Sequence, residues 1–312
     1  MEKILVSIHC ITYNHEKYIA DAIDSFLEQQ TNFKFEILIH DDASTDRTAD
    51  IIREYECKYP DLIKPIYQKE NQYSKGGASV EIFNFKRANG KYIAVCEGDD
   101  YWTDPKKLQK QVDYLEKNPE CSLVFHAADV VKANKETTGT VARIAEESRI
   151  VKMDEIALKA EPNFIPTASR VFRKAFIDKL PSWYINASIG DFPTALLIGK
   201  YGHFYYIDEI MSAYRTGVSG SWTSRMFNGK DNKKNLIKIN QECIQILNDF
   251  NHFSNYQFRQ EVNNAIKERK ARILISKIGY YLPKSIIEFI KGNFDEKTII
   301  NRTKLFIKVK GS

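Results

Sequence analysis

Two short segments carry carboxylates at a density suited to chemistry. Glu97-Gly98-Asp99-Asp100-Tyr101-Trp102 sets two aspartates side by side behind a glycine that lets the backbone turn tightly. Asp41-Asp42-Ala43-Ser44-Thr45-Asp46 gathers three aspartates around two hydroxyl residues. Hard carboxylate oxygens without nearby His or Cys suit Mg2+ or Mn2+ rather than zinc. Adjacent like charges are costly unless a cation or protons neutralise them. A divalent ion shared by Asp100 and a pyrophosphate would meet that need. It would also stabilise charge growing on a departing diphosphate. Structural uses compete with this chemistry. Paired Asp after a strand also form turns and cap helices, and Ser44, Thr45 and Asp46 suit a helix start. Asp42 precedes that cap and is not explained by it. A carboxylate there can accept the imide N–H of a pyrimidine base. Tyr13 either stacks on such a base or is a half-buried aromatic at a strand end.

These residues follow elements that the apolar pattern makes legible. Residues 4–12 are apolar and β-branched, which predicts a buried strand. Residues 16–30 show the one-faced spacing of a helix. Further strands are expected at 35–40, 62–68, 91–96 and 121–127. Helices are expected at 45–57, with Ser44 as N-cap, and at 80–88. Another opens at Asp104-Pro105, with Asp104 as N-cap. Such alternation predicts an α/β fold, a mainly parallel sheet flanked by helices. Ligands of such sheets sit beyond the carboxyl ends of the strands. Thr12-Tyr13-Asn14, the 41–46 turn and the 97–102 turn would then open at one edge.

The second half is less regular. Residues 132–147 read as a loop or weak hairpin, 191–200 as a helix and 212–228 as a loop. Two long helices are expected at 232–248 and 256–278, then a break at Pro283 and a last amphipathic stretch. Of 312 residues, 43% are hydrophobic and 28% charged, enough for a sizeable core under an ordinary surface. No apolar run approaches the ~20 residues that span a bilayer, and no cleavage-site pattern follows Met1. The five cysteines are odd in number and widely spaced, which suits reduced thiols in the cytoplasm and excludes a zinc or disulfide frame. Residues 263–312 carry 12 Lys/Arg against 4 Asp/Glu, a net of +8, which leaves −3 of the total +5 for the rest. Basic residues mixed with Ile, Leu, Phe and Tyr over 267–291 suit a helix on an anionic membrane surface. They equally suit an appendage packed on the catalytic domain or on the second subunit of a homodimer. Nothing in the body supports a nucleic-acid partner.

The ordered set of motifs resembles the inverting GT-A-type glycosyltransferases of the large family 2. It comprises Ile11-Thr12-Tyr13-Asn14, the turn from Asp41 to Asp46, and Asn89-Gly90-Lys91-Tyr92-Ile93-Ala94 leading to Asp99-Asp100. The run from Glu97 to Pro105 with Lys107-Leu108 is similar to a bacterial subgroup that builds surface polysaccharides. The resemblance covers about residues 1–225. It implies a Rossmann-like GT-A domain over 1–225 with a helical basic extension over 226–312. It also implies a nucleotide-sugar donor, a UDP-sugar by default although dTDP presents the same edge, and a glycan or lipid-linked acceptor. Thr12, Tyr13, Asn14, Asp42 and Asp99 would bind nucleotide, and Asp100 with Asp99 the Mg2+ or Mn2+ ion. Asp191, in Ile189-Gly190-Asp191, resembles the catalytic base; by itself it also reads as a helix N-cap. One departure is Tyr214-Arg215-Thr216-Gly217, where relatives often carry Tyr-Arg-x-His. Arg215 there either contacts phosphate or forms a buried ion pair. The resemblance also implies work at the inner face of the cell membrane.

Two other classes compete. A nucleotidyltransferase would show a Gly-rich loop with a basic residue after the first strand, unlike Thr12-Tyr13-Asn14-His15. A non-catalytic binding scaffold has no need of paired aspartates at the nucleotide edge. Dinucleotide, P-loop and nucleophile-elbow motifs are absent, and the six histidines are scattered.

Overall fold

The computed structural model describes residues 3–76, 80–159, 165–218, 221 and 231–278. In chain order the elements are β1 (Ile4–Thr12), α1 (Ile19–Leu27), β2 (Lys34–Asp41), α2 (Thr48–Lys58), β3 (Ile63–Tyr67), α3 (Tyr73–Gly76), α4 (Val80–Arg87), β4 (Tyr92–Val95), β5 (Tyr101–Trp102) and α5 (Lys107–Lys117). They continue with β6 (Cys121–Lys132), β7 (Thr137–Ala142), β8 (Arg149–Val151), α6 (Met153–Lys159), β9 (Val171–Arg173), α7 (Ser182–Ile185), α8 (Asp191–Gly199), β10 (His203–Thr216), α9 (Asn232–Phe253) and α10 (Arg259–Ile278). The chain divides into two compact units, Met1–Ser219 and Gly220–Ser312.

One sheet organises the first unit, in the order β3-β2-β1-β4-β9-β6-β10-β5. Strands β1, β2, β3 and β4 pair in parallel, as do β6 and β10. Strand β9 enters antiparallel between β4 and β6. Strand β5 pairs antiparallel with β10, which puts the turn after β4 beside the end of β10. The alternation of β1 explains how the sheet is covered. Val6, Ile8 and Cys10 are buried in one cluster with Ile19, Ile23 and Phe26 of α1 and Leu108, Val112 and Leu115 of α5. On the other face His9 stacks at 4.8 Å on Phe85 of α4. Asn84, fully buried on α4, donates from Nδ2 to the carbonyls of Cys10 at 3.1 Å and Leu38 at 2.9 Å. It thereby pins α4 across β1 and β2. Gly90 is required just before β4, since a Cβ there would lie 2.5 Å from the backbone nitrogen of Ser7.

In the second unit α9 and α10 form an antiparallel hairpin. Lys233 at the start of α9 donates to the Lys277 carbonyl at the end of α10, at 3.2 Å. Among the described residues, no helix is long and apolar enough to cross a membrane. All five cysteines are free thiols, four of them buried.

Several sequence expectations need correction. Ser44 does not cap α2, which starts at Thr48. Its hydroxyl donates to Asp41 and accepts the Asn14 N–H, and Asp46 Oδ1 instead takes the Thr48 N–H at 3.0 Å. Asp104 likewise precedes α5 by a turn, accepting the Lys106 N–H at 2.7 Å. Residues 132–147 contain a true hairpin, with β7 pairing back onto β6. Residues 212–216 are strand rather than loop, because β10 is buried between β6 and β5. The rest of the expected loop, except 217, 218 and 221, lies outside the described residues, as does everything beyond 278, including Pro283.

Asn84→Ala removes two buried hydrogen bonds that tie α4 to β1 and β2. It is expected to destabilise the first unit by about 1–3 kcal/mol, measured by denaturant unfolding.

Candidate active site

The parallel register of β2, β1 and β4 brings their carboxyl ends to one edge. The Gly98 N–H donates to the Ile11 carbonyl at 2.9 Å, and the Asp42 N–H to the Thr12 carbonyl at 3.0 Å. The loops after β1 and β2 are laced together. Asn14 and Ala43 both hold left-handed backbone, φ 56° and 62°, a conformation that needs support outside glycine. The support is reciprocal. The Asn14 N–H donates to Ser44 Oγ at 2.9 Å, and the Thr45 N–H to Asn14 Oδ1 at 2.8 Å. The next residue repeats the pattern, with the His15 N–H donating to Thr48 Oγ1 at 2.8 Å. Tyr13, at the tip, is 42% exposed. Thr12 is buried, and its Oγ1 has no hydrogen-bond partner.

Asp42 sits deeper than its neighbours. It is buried, and its two oxygens accept the N–H groups of Gln72 at 2.8 Å and Tyr73 at 3.0 Å, at the start of α3. His40 Nε2 lies 3.6 Å from Oδ1. Asp42 therefore anchors the turn before α3, with one lone pair left on each oxygen.

The Asp99-Asp100 turn is held from β10. Arg215 is buried, and its backbone N–H donates to Asp100 Oδ1 at 2.8 Å. Its guanidinium donates to the Asp99 carbonyl at 2.6 Å and pairs with Asp21 of α1. It lies 5.1 Å from the Tyr18 ring and 4.6 Å from the Tyr101 ring. Of the two uses open to Arg215, the structure shows the buried ion pair. Asp100 is 1% exposed, and its Oδ2 has no partner. Burial first, and then the neighbouring Asp99 charge, push its carboxyl well above the usual range. Asp99 is more accessible, with Oδ2 3.8 Å from His15 Nε2. Gly98 is crowded: a Cβ there would lie 2.6 Å from Thr12 Oγ1 and 3.1 Å from His15 Nδ1.

Asp191 reaches this edge through the inserted strand β9. The Val95 N–H of β4 donates to the Arg170 carbonyl at 3.0 Å. The Arg170 side chain then donates to Asp191 Oδ1 at 2.6 Å, and Thr167 Oγ1 donates to Oδ2 at 3.1 Å. Asp191 is the first residue of α8, and Gly190 is its N-cap. Its side chain is 48% exposed. Its charge reaches both Asp100 and Glu97. Glu97 is exposed. Desolvation by the surrounding protein, and then the charges of Asp99, Asp191 and Asp100, push its carboxyl up.

The oxygen donors fit a hard divalent cation. Asp100 Oδ2 is an orphaned buried acceptor beside a second carboxylate. No group of three His, Cys, Asp or Glu converges on one point among the described residues. The Asp99-Asp100 pair would supply one or two carboxylates to an ion whose remaining positions phosphates and water would fill, the usual arrangement for Mg2+.

Residues 7–180 match the sequence profile of glycosyl transferase family 2, more than half the chain. The chain belongs to that family. An uncharacterized protein of Mycobacterium tuberculosis is 37% identical over 232 residues, 70% of this chain and 61% of that protein. The chain thus spans less than two thirds of the length of the mycobacterial relatives it matches. An Escherichia coli UDP-Glc:alpha-D-GlcNAc-diphosphoundecaprenol beta-1,3-glucosyltransferase, WfaP, is 38% identical over 112 residues, 36% of this chain and 41% of that one. The crystal structure of Staphylococcus aureus TarS 1-349 in complex with UDP superposes with a TM-score of 0.55 at 18% identity, covering 93% of this chain and 87% of that chain. The fold is therefore GT-A. In this family 2 member, sequence reasoning missed His15 and Arg170. His15 was signalled by its place in the strand-end loop; Arg170 comes to the site by tertiary packing alone.

Arg215→Met removes the fork under the Asp99-Asp100 turn. It is expected to cost about 2–4 kcal/mol of stability in thermal or urea unfolding, somewhat below the cost of breaking a fully buried pair because Asp21 keeps some solvent.

Proposed function

We propose that the protein is an inverting glycosyltransferase that moves a sugar from a nucleotide-sugar to a glycan or lipid-linked acceptor. The observation that carries this reading is the buried, unpartnered Oδ2 of Asp100 beside Asp99, at the edge that also receives Asp191. Tyr13, Thr12 and Asn14 line the base and ribose, with Asp42 reading the base through its free lone pairs. Asp99 holds ribose or metal. A Mg2+ or Mn2+ ion held by Asp100 and Asp99 would stabilise the charge that develops on the departing diphosphate. Asp191, aimed by Arg170 and Thr167, removes the acceptor hydroxyl proton as that oxygen attacks. Attack from the face opposite the diphosphate inverts the anomeric carbon in one displacement. The donor is a UDP-sugar on this reading; WfaP, with UDP-Glc in its name, supports that choice and a lipid-linked acceptor. Catalysis belongs to residues 1–225. Within the basic extension, 226–312, residues 263–312 dock at an anionic membrane surface on the cytoplasmic side, where such an acceptor lies.

The nucleotide site is tested by calorimetric titration of the full chain with UDP, with and without Mn2+, beside Asp100→Ala. Binding that requires Mn2+ and weakens at least tenfold in the variant is the expected result, about 1.4 kcal/mol or more. If UDP, dTDP and GDP all fail to bind, a non-catalytic scaffold becomes the better reading. The extension is tested by co-sedimentation with vesicles containing anionic lipid. Binding is expected to drop when residues 263–312 are removed, and equal binding of both forms would sink the membrane assignment.

A further inference from the structure

Behind Asp191 lies a polar network that the mechanism above leaves unused. Glu81 of α4 is packed so closely on the start of α8 that a Cβ at Gly190 would lie 2.6 Å from Glu81 Oε1. Its Oε2 lies 2.7 Å from Tyr184 Oη. Tyr184, on α7, is fully buried, and its Oη lies 2.9 Å from Thr194 Oγ1. Thr194 Oγ1 in turn donates to the Gly190 carbonyl at 2.7 Å. The backbone that carries Asp191 is thus gripped from behind by α4 and α7, while Arg170 and Thr167 hold its carboxylate from the front.

The network can run in either direction. With Glu81 ionised, the Tyr184 and Thr194 hydroxyls can both donate to it, and the Gly190 carbonyl keeps only the Thr194 N–H at 3.1 Å. With Glu81 protonated, the Thr194 hydroxyl is free for Gly190, every contact in the series is filled in one sense, and hydrogen bonds in such a chain polarise one another. We propose that Glu81 is a positioning residue for Asp191 that works in its protonated form, as first donor in a chain through Tyr184 and Thr194 to the Gly190 carbonyl. The proposal rests on Asp191 being the base.

The surrounding charges agree with it. Tyr184, Asp191, Arg170 and Glu97 are the titratable groups that act on Glu81. The one cation among them, Arg170, is bonded to Asp191. Burial, moderated by the Tyr184 hydrogen bond, pushes the Glu81 carboxyl up to about 7. Because the folded carboxyl holds its proton more tightly than the unfolded one, its contribution to stability is present in acid. That contribution is lost as pH rises from 4.5 to about 7.

Full-length protein labelled with 13C at Asp and Glu carboxyls tests the chain without any substrate. The Glu81 resonance, assigned by its loss in E81Q, is expected to titrate near pH 7. The Asp191 resonance, assigned by its loss in D191N, should move with the same midpoint, and Y184F should abolish that coupling. E81Q, whose amide donates as the protonated acid does, should hold the Asp191 resonance at its acid-side position. In kinetics, kcat for UDP release from UDP-glucose, UDP-galactose or UDP-N-acetylglucosamine should fall about tenfold in Y184F, short of the ~100-fold that a 1 Å misplacement costs. In E81Q the loss should be smaller, and the decline of kcat through pH 7 should disappear. A Glu81 that titrates in the ordinary carboxylate range, or an Asp191 resonance indifferent to E81Q and Y184F, would overturn the proposal. A D191N protein that keeps wild-type kcat would instead overturn the assignment of the base.

Discussion

The buried guanidinium of Arg215 is the point on which the Asp99-Asp100 half of the site depends. It touches three parts of the chain that are remote in sequence: the turn after β4, α1 through Asp21 and Tyr18, and β5 through Tyr101. A buried arginine is stable only when paired and hydrogen-bonded, so these partners cannot drift without exposing an unpaired charge. The Asp99 carbonyl is among them, and the backbone N–H of the same arginine holds Asp100 Oδ1. One residue therefore fixes the aspartate pair while leaving Asp100 Oδ2 free. Had Arg215 pointed its guanidinium at that oxygen, the pair would be neutralised internally, and the oxygen could not serve the ion of the proposed reading.

Excess negative charge is the second constraint. Glu81, Glu97, Asp99, Asp100 and Asp191 act on one another across the sheet edge. Arg170 is bonded to Asp191, and Arg215 is bonded to Asp21 at the back. Desolvation first, and then these charges, raise the carboxyls of Asp100, Glu97 and Glu81. Each must hold a proton or meet a cation. On the proposed reading the two solutions divide the site: a divalent ion with the diphosphate serves Asp99 and Asp100, and a retained proton serves Glu81.

What was legible in the sequence follows the range of the interactions involved. The strand ends at Thr12, Asp41 and the turn before Asp99 are specified by local apolar runs, and β1 runs from Ile4 to Thr12 as the pattern indicates. Features that depend on a distant partner were not. Ser44 has the chemistry of a helix cap, but Asn14, thirty residues away, claims its oxygen. The Ser, Gly and Thr content of residues 212–228 suggests a loop, yet Ser212 and Arg215 are buried in β10 because β6 and β5 flank them. Asp191 shows an acid at a helix start, and only the antiparallel insertion of β9 explains why that start faces the edge that carries Asp99 and Asp100.

The two halves of the site are therefore built by different physics. The half around Asp99 and Asp100 is assembled from consecutive strand ends of a parallel sheet, a geometry set by chain direction. The half around Asp191 is assembled by packing: β9 delivers Arg170, α4 delivers Glu81, and α7 delivers Tyr184. Two glycines mark where these halves close on themselves. Gly98 admits Thr12 and His15 to within contact of the Asp99-Asp100 turn, and Gly190 admits Glu81 to within contact of the Asp191 turn. Neither glycine has a left-handed φ, so what each position requires is space for a neighbour, not backbone freedom. A side chain at either place would push a carboxylate-bearing turn outward, and on the proposed reading the cation and the acceptor hydroxyl would then meet the donor along different lines.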